Sequence, residues 1–261
     1  MTEVADEKSE FQVVSSKKKS KSKQFKGKYD PLDYNIRRIE SLKEELESST
    51  YYLELLNSIS KSLATSSAST TQGIDEIICY GIGNFTDSIA AKYQLVLLLL
   101  LKQEYKCPVW IYDPIFNELE IELIKTFNLK LITVNEECKH KIESKTLVYM
   151  PRCPIQLINN LLYSNWYREN LKNTILLSNS ITTIIDSNTD NFLNSNLTFI
   201  FHIKTILEEI PVENNFKFKD IFNDTSLHYF PSSNLNSVEE DIWDLRSLEP
   251  SYTECNFEKT K

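Results

Sequence analysis

The sequence predicts an α/β protein: a Rossmann-like, doubly wound, mostly parallel sheet of about five or six strands, preceded by a helical N-terminal segment. Three observations predict it. Short apolar runs rich in β-branched and aromatic residues recur at 77–80, 109–112, 130–134, 146–150 and 174–178, and such runs suit strands buried on both faces. Stretches with helical spacing separate them, such as Phe116 to Phe127 and Pro154 to Asn165, so the strands require right-handed crossovers. The first run ends in Gly81-Ile82-Gly83, which holds two of the only four glycines in 261 residues.

In chain order, residues 1–30 form a basic tail. Seven lysines fall between Lys17 and Lys28 with few apolar residues among them, a composition that cannot bury a core and is expected to be disordered. Over 31–65 the positions Ile36, Ile39, Leu42, Leu46, Leu53, Leu56, Ile59 and Leu63 follow one helical stripe, with a break near Ser48-Ser49-Thr50. Small polar residues at 66–73 read as a linker. The α/β domain is expected over 74–232. Its first strand leads through the glycine turn into a helix from Asp87 to Lys102, whose Leu95–Leu101 run reads as a buried face. Leu197 to His202 is either a sixth strand or the start of a helix running to Glu209. Residues 233–261 form an acidic C-terminal tail, with seven acidic and three basic residues from Asn234 onward, and are expected to be equally loose.

Composition narrows the function classes. The chain is 41% hydrophobic and 25% charged, ordinary values for a globular protein. No stretch reaches the roughly 18 apolar residues that cross a bilayer, so no membrane association is expected. The first ten residues lack an apolar signal core, and an intracellular protein follows. The lysine run reads equally as a nuclear-import signal, a phosphate tether or a solvated tail. With a net charge of −8, the folded body is not expected to wrap nucleic acid.

In a doubly wound sheet, ligands bind beyond the carboxyl ends of the strands. Those ends carry Gly81, Gly83 and Asn84 after the first strand, Asp113 after the second, Met150 and Cys153 after the fourth, and Asn179 after the fifth. These seven residues are the candidate ligand-binding set, expected to surround one crevice. Two readings of the glycine pair stand side by side. Either it opens backbone N–H groups toward a ligand, or it only lets strand and helix pack closely. Asp113 lies about 30 residues after the glycines rather than the ~20 of a dinucleotide fingerprint, and Thr86 replaces the third glycine. A cap or proline-turn role is therefore the stronger explanation for Asp113.

Catalytic groups are few. His140, His202 and His228 lie on separate elements without metal-binding spacing, so no metal site is expected. Glu136, Glu137 and His140 sit within one helical turn and read as an acid/base group or, more commonly, as an exposed charged turn. No P-loop or G-x-S-x-G elbow is present. The five cysteines, at 79, 107, 138, 153 and 255, form no C-x-x-C pair and fit free thiols in a reduced compartment. Cys107 and Cys153 each precede proline. Such a pairing can present a thiolate to haem iron, which makes haem a minority expectation centred on Cys153, although proline also simply starts strands and helices.

The string Cys79-Tyr80-Gly81-Ile82-Gly83-Asn84-Phe85 is followed in order by Ala91-Lys92-Tyr93-Gln94-Leu95, Tyr112-Asp113-Pro114 with Glu120, and Asn135-Glu136-Glu137 with Lys139-His140. Then come Tyr149-Met150-Pro151 with Cys153, Asn159-Asn160-Leu161-Leu162 with Ser164-Asn165-Trp166, and Phe222-Asn223-Asp224-Thr225-Ser226. Together these resemble the Sensitivity to Red Light Reduced (SRR-like) family over roughly Glu76 to Pro231. Phe11-Gln12-Val13-Val14 before the basic run is also similar to family N-termini. Two positions depart from the pattern: Arg152 stands where histidine is usual, and Cys138 where glycine is usual.

The resemblance implies an intracellular regulatory protein rather than a defined enzyme, acting through protein partners in the cytoplasm and nucleus. Family members are associated with circadian and light-signalling output in plants, haem-biosynthesis regulation in animals, and microtubule-related processes and stress growth in fungi. Frequent Asn, Ser and Ile suggest an AT-rich genome and a fungal member, which places the microtubule and proliferation role first. The alternative is a sensor of a small ligand or haem, or a cryptic enzyme, that uses the crevice.

Overall fold

The computed structural model of the chain describes residues 30–66 and 73–252. The basic tail, most of the linker, and the last residues with Cys255 lie outside the described residues. The sheet has seven strands in the order β3-β2-β1-β4-β5-β7-β6. β1 (Glu76–Tyr80) sits near the middle, parallel to β2 (Val109–Tyr112) and β4 (Thr146–Met150). β3 (Lys130–Leu131) pairs parallel with β2, and β5 (Thr174–Asn179) with β4. β7 (Thr225–Tyr229) lies antiparallel to β5, and β6 (Glu208–Pro211) antiparallel to β7.

Strand side chains alternate between faces, and the core is divided accordingly. Ile77, Cys79, Val109, Ile111, Leu147, Tyr149, Ile175 and Leu177 pack into one layer with α1 (Pro31–Glu47), α2 (Thr50–Ser66), α3 (Ile89–Tyr105) and α4 (Glu118–Thr126). Ile78, Tyr80, Val148, Met150 and Leu176 pack into the other, against α5 (Ile155–Ser164), α6 (Arg168–Asn173), α7 (Ile181–Asp186), α8 (Asp190–Asn196) and α9 (Thr198–Ile203). The result is a three-layer sandwich of the Rossmann-like kind that the alternating pattern predicts.

The expected helical break falls at Ser48-Ser49. Ser49 Oγ accepts from Tyr52 N at 3.2 Å and so caps α2. α3 is buried continuously from Ala91 to Leu101, because α1 covers one flank and the sheet the other. That placement explains an apolar run with no polar face. Among the described residues, no helix is long and apolar enough to cross a membrane.

Four features differ from expectation. The third strand is two residues long rather than five, since Thr133 and Val134 turn to solvent. The stretch from Leu197 is helical but stops at Ile203, and the chain from Glu208 is β6 rather than the helix end. β6 and β7 bring the sheet to seven strands among the described residues. The acidic C-terminal stretch, expected to be loose, folds through Tyr252 as α10 (Ser232–Ser237) and a 3₁₀ helix (Glu240–Ser247). Trp243 is buried there, the Trp166 Nε1–H donates to the Ile242 carbonyl at 2.7 Å, and Arg168 pairs with Glu240 at 2.6 Å.

Leu42 and Leu46 on α1 are fully buried in the same layer as the strands. Each leucine-to-alanine change should lower unfolding free energy by about 2–5 kcal/mol, as for a core site. Urea titration checks this; a loss below about 0.5 kcal/mol would mean that the helical segment is only loosely attached.

Candidate functional site

The sheet order reverses beside β1, because the chain builds β2 and β3 on one side and β4 and β5 on the other. Such a switch point leaves a crevice beyond the strand ends. Here it is a cavity of about 460 Å³, within the range that holds a small organic ligand.

Its floor is the glycine turn. Gly81 and Gly83 have φ of +74° and +80°, a region that costs other L-residues strain. Gly81 is required on a second count: a Cβ there would lie 2.6 Å from Cys153 Sγ and 3.3 Å from Cys153 N. Gly83 N–H donates to Asp113 Oδ2 at 2.7 Å, while Asp113 Oδ1 accepts from Ile115 N at 3.1 Å. Asp113 therefore fixes the turn it belongs to and ties β2's end to the glycine loop. The loop continues in the same way. Asn84 Oδ1 accepts from the backbone N–H of Thr86 and Asp87 at 3.1 and 3.0 Å, and Glu120 Oε1 accepts from Thr86 N at 2.9 Å. Glu120 is fully buried, and its other oxygen accepts from Asn117 N, closing a capping box at the start of α4. Ser88 caps α3 by accepting from Ala91 N.

Of the seven candidate residues, Gly81, Gly83, Asp113 and Cys153 line the crevice. Asn84 shapes the loop beside it. Met150 is buried in the core layer that holds α5. Asn179 lies elsewhere: it pairs with Thr225 in the antiparallel ladder, and its side chain donates to Asp224 Oδ2 at 3.3 Å. The fourth wall comes instead from the loop after β3, through Asn135, Glu137 and Cys138. Glu137 and Cys138 have φ of 49° and 61°, so Cys138 adopts the backbone that favours the glycine usual in the resembling family. Asn117-x-x-Glu120 is a capping-box pattern readable from sequence; the role of the loop after β3 had no such signal.

Burial holds Cys79, Cys138 and Tyr80 in their protonated forms. Burial pushes the Cys79 and Cys138 thiols well up, helped at Cys138 by a hydrogen bond with Cys153. Burial also raises the Tyr80 hydroxyl, with Cys138 and Glu136 adding to the effect. Tyr80 donates to Glu136 Oε2 at 3.4 Å, and the same oxygen meets His140 Nδ1 at 3.0 Å. Among the described residues, no group of three or more His, Cys, Asp or Glu side chains is placed to hold a metal ion. Haem through Cys153 does not fit this geometry. The sulfur lies against Gly81, and a crevice lined by Asp113 and Glu137 with only Arg152 to offset them is a poor electrostatic match for a group that carries two carboxylates.

Comparison with known proteins shows what these features belong to. The family model described as the SRR1 domain matches residues 40–229, from within α1 to the end of β7. An SRR1-like protein of Drosophila melanogaster is 32% identical over 255 residues, covering 90% of this chain and 87% of the fly protein. An SRR1-like protein of Mus musculus is 32% identical over 127 residues, or 47% of this chain and 51% of the mouse protein. Protein SENSITIVITY TO RED LIGHT REDUCED 1 of Arabidopsis thaliana is 25% identical over 166 residues, or 59% and 60% of the two chains. The chain belongs to the SRR1 domain family.

Gly81→Ala should cost more stability than Gly83→Ala. Both place a Cβ at positive φ, worth about 1–2 kcal/mol, but a Gly83 Cβ would meet nothing closer than Ala91 Cβ at 4.0 Å. Adding Cys153→Ala should recover part of the Gly81→Ala loss in a double-mutant cycle; equal costs for the two glycines would refute the close approach. Peptide-resolved alkylation should find Cys153, which is half-buried, ahead of the buried Cys79, Cys107 and Cys138.

Proposed function

We propose that this SRR1-domain protein is a regulatory protein whose α/β core senses a small molecule in the crevice and passes its bound state to protein partners. On this reading it acts in the cytoplasm and nucleus, with its output in microtubule-related processes and in cell proliferation or stress growth. The observation that carries the ligand part is a preformed cavity of about 460 Å³ at the switch point, on a turn braced by Asp113 and Glu120 rather than filled by side chains. The pathway part rests on family resemblance.

Regulation is favoured over catalysis by the state of the lining groups. Tyr80 stays protonated and is engaged by Glu136. Cys138 is held as a thiol by burial and by its hydrogen bond with Cys153. Tyr80 and Cys138 are therefore poor nucleophiles, and covalent catalysis needs an activated one.

Ile115 lines the crevice yet is 42% exposed, so Ile115→Trp should narrow the crevice without disturbing the core. The variant should melt within about 2 °C of the parent, as surface changes do. It should nonetheless fail to restore growth of a null strain challenged with a microtubule-depolymerising drug. Full restoration by a folded Ile115→Trp protein would remove the crevice from the function.

A further inference from the structure

The glycine turn has the outline of a phosphate cradle, but three of its N–H groups, those of Gly83, Thr86 and Asp87, are already held by side chains. Phosphate sites at a strand–turn–helix entry depend on free backbone N–H groups directed at the anion. Here Gly83 N–H is held by Asp113, Thr86 N–H by Glu120 and Asn84, and Asp87 N–H by Asn84. A phosphate would have to displace a carboxylate from the turn and then sit beside it. The rim does not compensate, since Asp113 and Glu137 face one guanidinium, that of Arg152.

The same carboxylate is well suited to a different group. Each oxygen of Asp113 holds one N–H, and a carboxylate offers about four acceptor sites in all. The remaining sites call for donors from whatever occupies the cavity, and two adjacent hydroxyls satisfy both oxygens at once. Around Asp113 the walls are apolar: Tyr112, Pro114, Ile115 and Leu157 border the cavity and suit a flat ring better than a charged one.

We propose that the crevice takes a nucleoside that carries no phosphate, with its ribose diol on Asp113, its base against the apolar wall, and a neutral or cationic group at the 5′ carbon. This rests on the reading of the crevice as a ligand site and names the class of ligand. It also separates this sheet from dinucleotide-binding ones, in which the loop N–H groups face a pyrophosphate.

Calorimetric titration of the full chain with adenosine, 5′-methylthioadenosine, 2′,3′-dideoxyadenosine and ATP tests it. Adenosine and 5′-methylthioadenosine should bind; the dideoxy compound, which lacks both hydroxyls placed on Asp113, and ATP, whose phosphates would meet Asp113 and Glu137, should each bind at least about tenfold more weakly; and Ile115→Trp should abolish all binding. Equal affinity for adenosine and its dideoxy analogue, or tighter binding of ATP, overturns the proposal. A parallel measurement separates the two levels of the argument: alkylation of Cys153 in the presence of the small-molecule fraction of a cell extract. If that fraction protects Cys153 in the parent but not in Ile115→Trp while no nucleoside binds, the nucleoside class is wrong and the ligand site stands. If neither the nucleosides nor the extract has any effect, both fall.

Discussion

The carboxylate of Asp113 spans the carboxyl ends of β1 and β2, and the geometry of the crevice follows from where its two oxygens go. One fixes the Pro114 turn through Ile115 N, and the other reaches across to Gly83 N at 2.7 Å. A buried or half-buried backbone N–H seeks an acceptor, and for Gly83 and Thr86 the next crossover supplies one each, Asp113 and Glu120. Glu120, on α4, plays the corresponding part for Thr86. The glycine turn is thus locked from the β2–α4 side, with Cys153 packed onto it from the β4 side.

Much of this architecture was legible in the sequence because a strand buried on both faces reads as an unbroken apolar run. β1, β2, β4 and β5 were visible for that reason, whereas β3, a partly exposed pair of residues, was read too long from the apolar run around it. β7 was not visible, because its buried positions include Ser226 and His228. His228 is accommodated by donating from Nδ1 to the Leu176 carbonyl and accepting at Nε2 from Ile181 N–H, so an interior histidine takes the place of an apolar residue. β6 is a half-exposed edge with two glutamates, which carries no strand signal at all.

The site was partly legible for a related reason. Gly81, Gly83, Asp113 and Cys153 stand at ends of strands whose positions were clear, and they line one cavity. Asn179 also stands at a strand end, but the antiparallel β7 extends along β5 there and engages it through Thr225 and Asp224. Only the unseen strand could have revealed this. The loop after β3 was hidden because its left-handed residues, Glu137 and Cys138, are not glycines.

The SRR1 domain, matched from residue 40 to 229, includes most of the helical segment as well as the sheet, and α1 completes the burial of α3. A ligand held in the crevice in the cell would copurify with the protein. Untargeted mass spectrometry of small molecules released on heating the protein purified from its own cells tests that most directly. The account predicts a compound that copurifies with the parent and is depleted from Ile115→Trp; identical small-molecule profiles from the two proteins would contradict it.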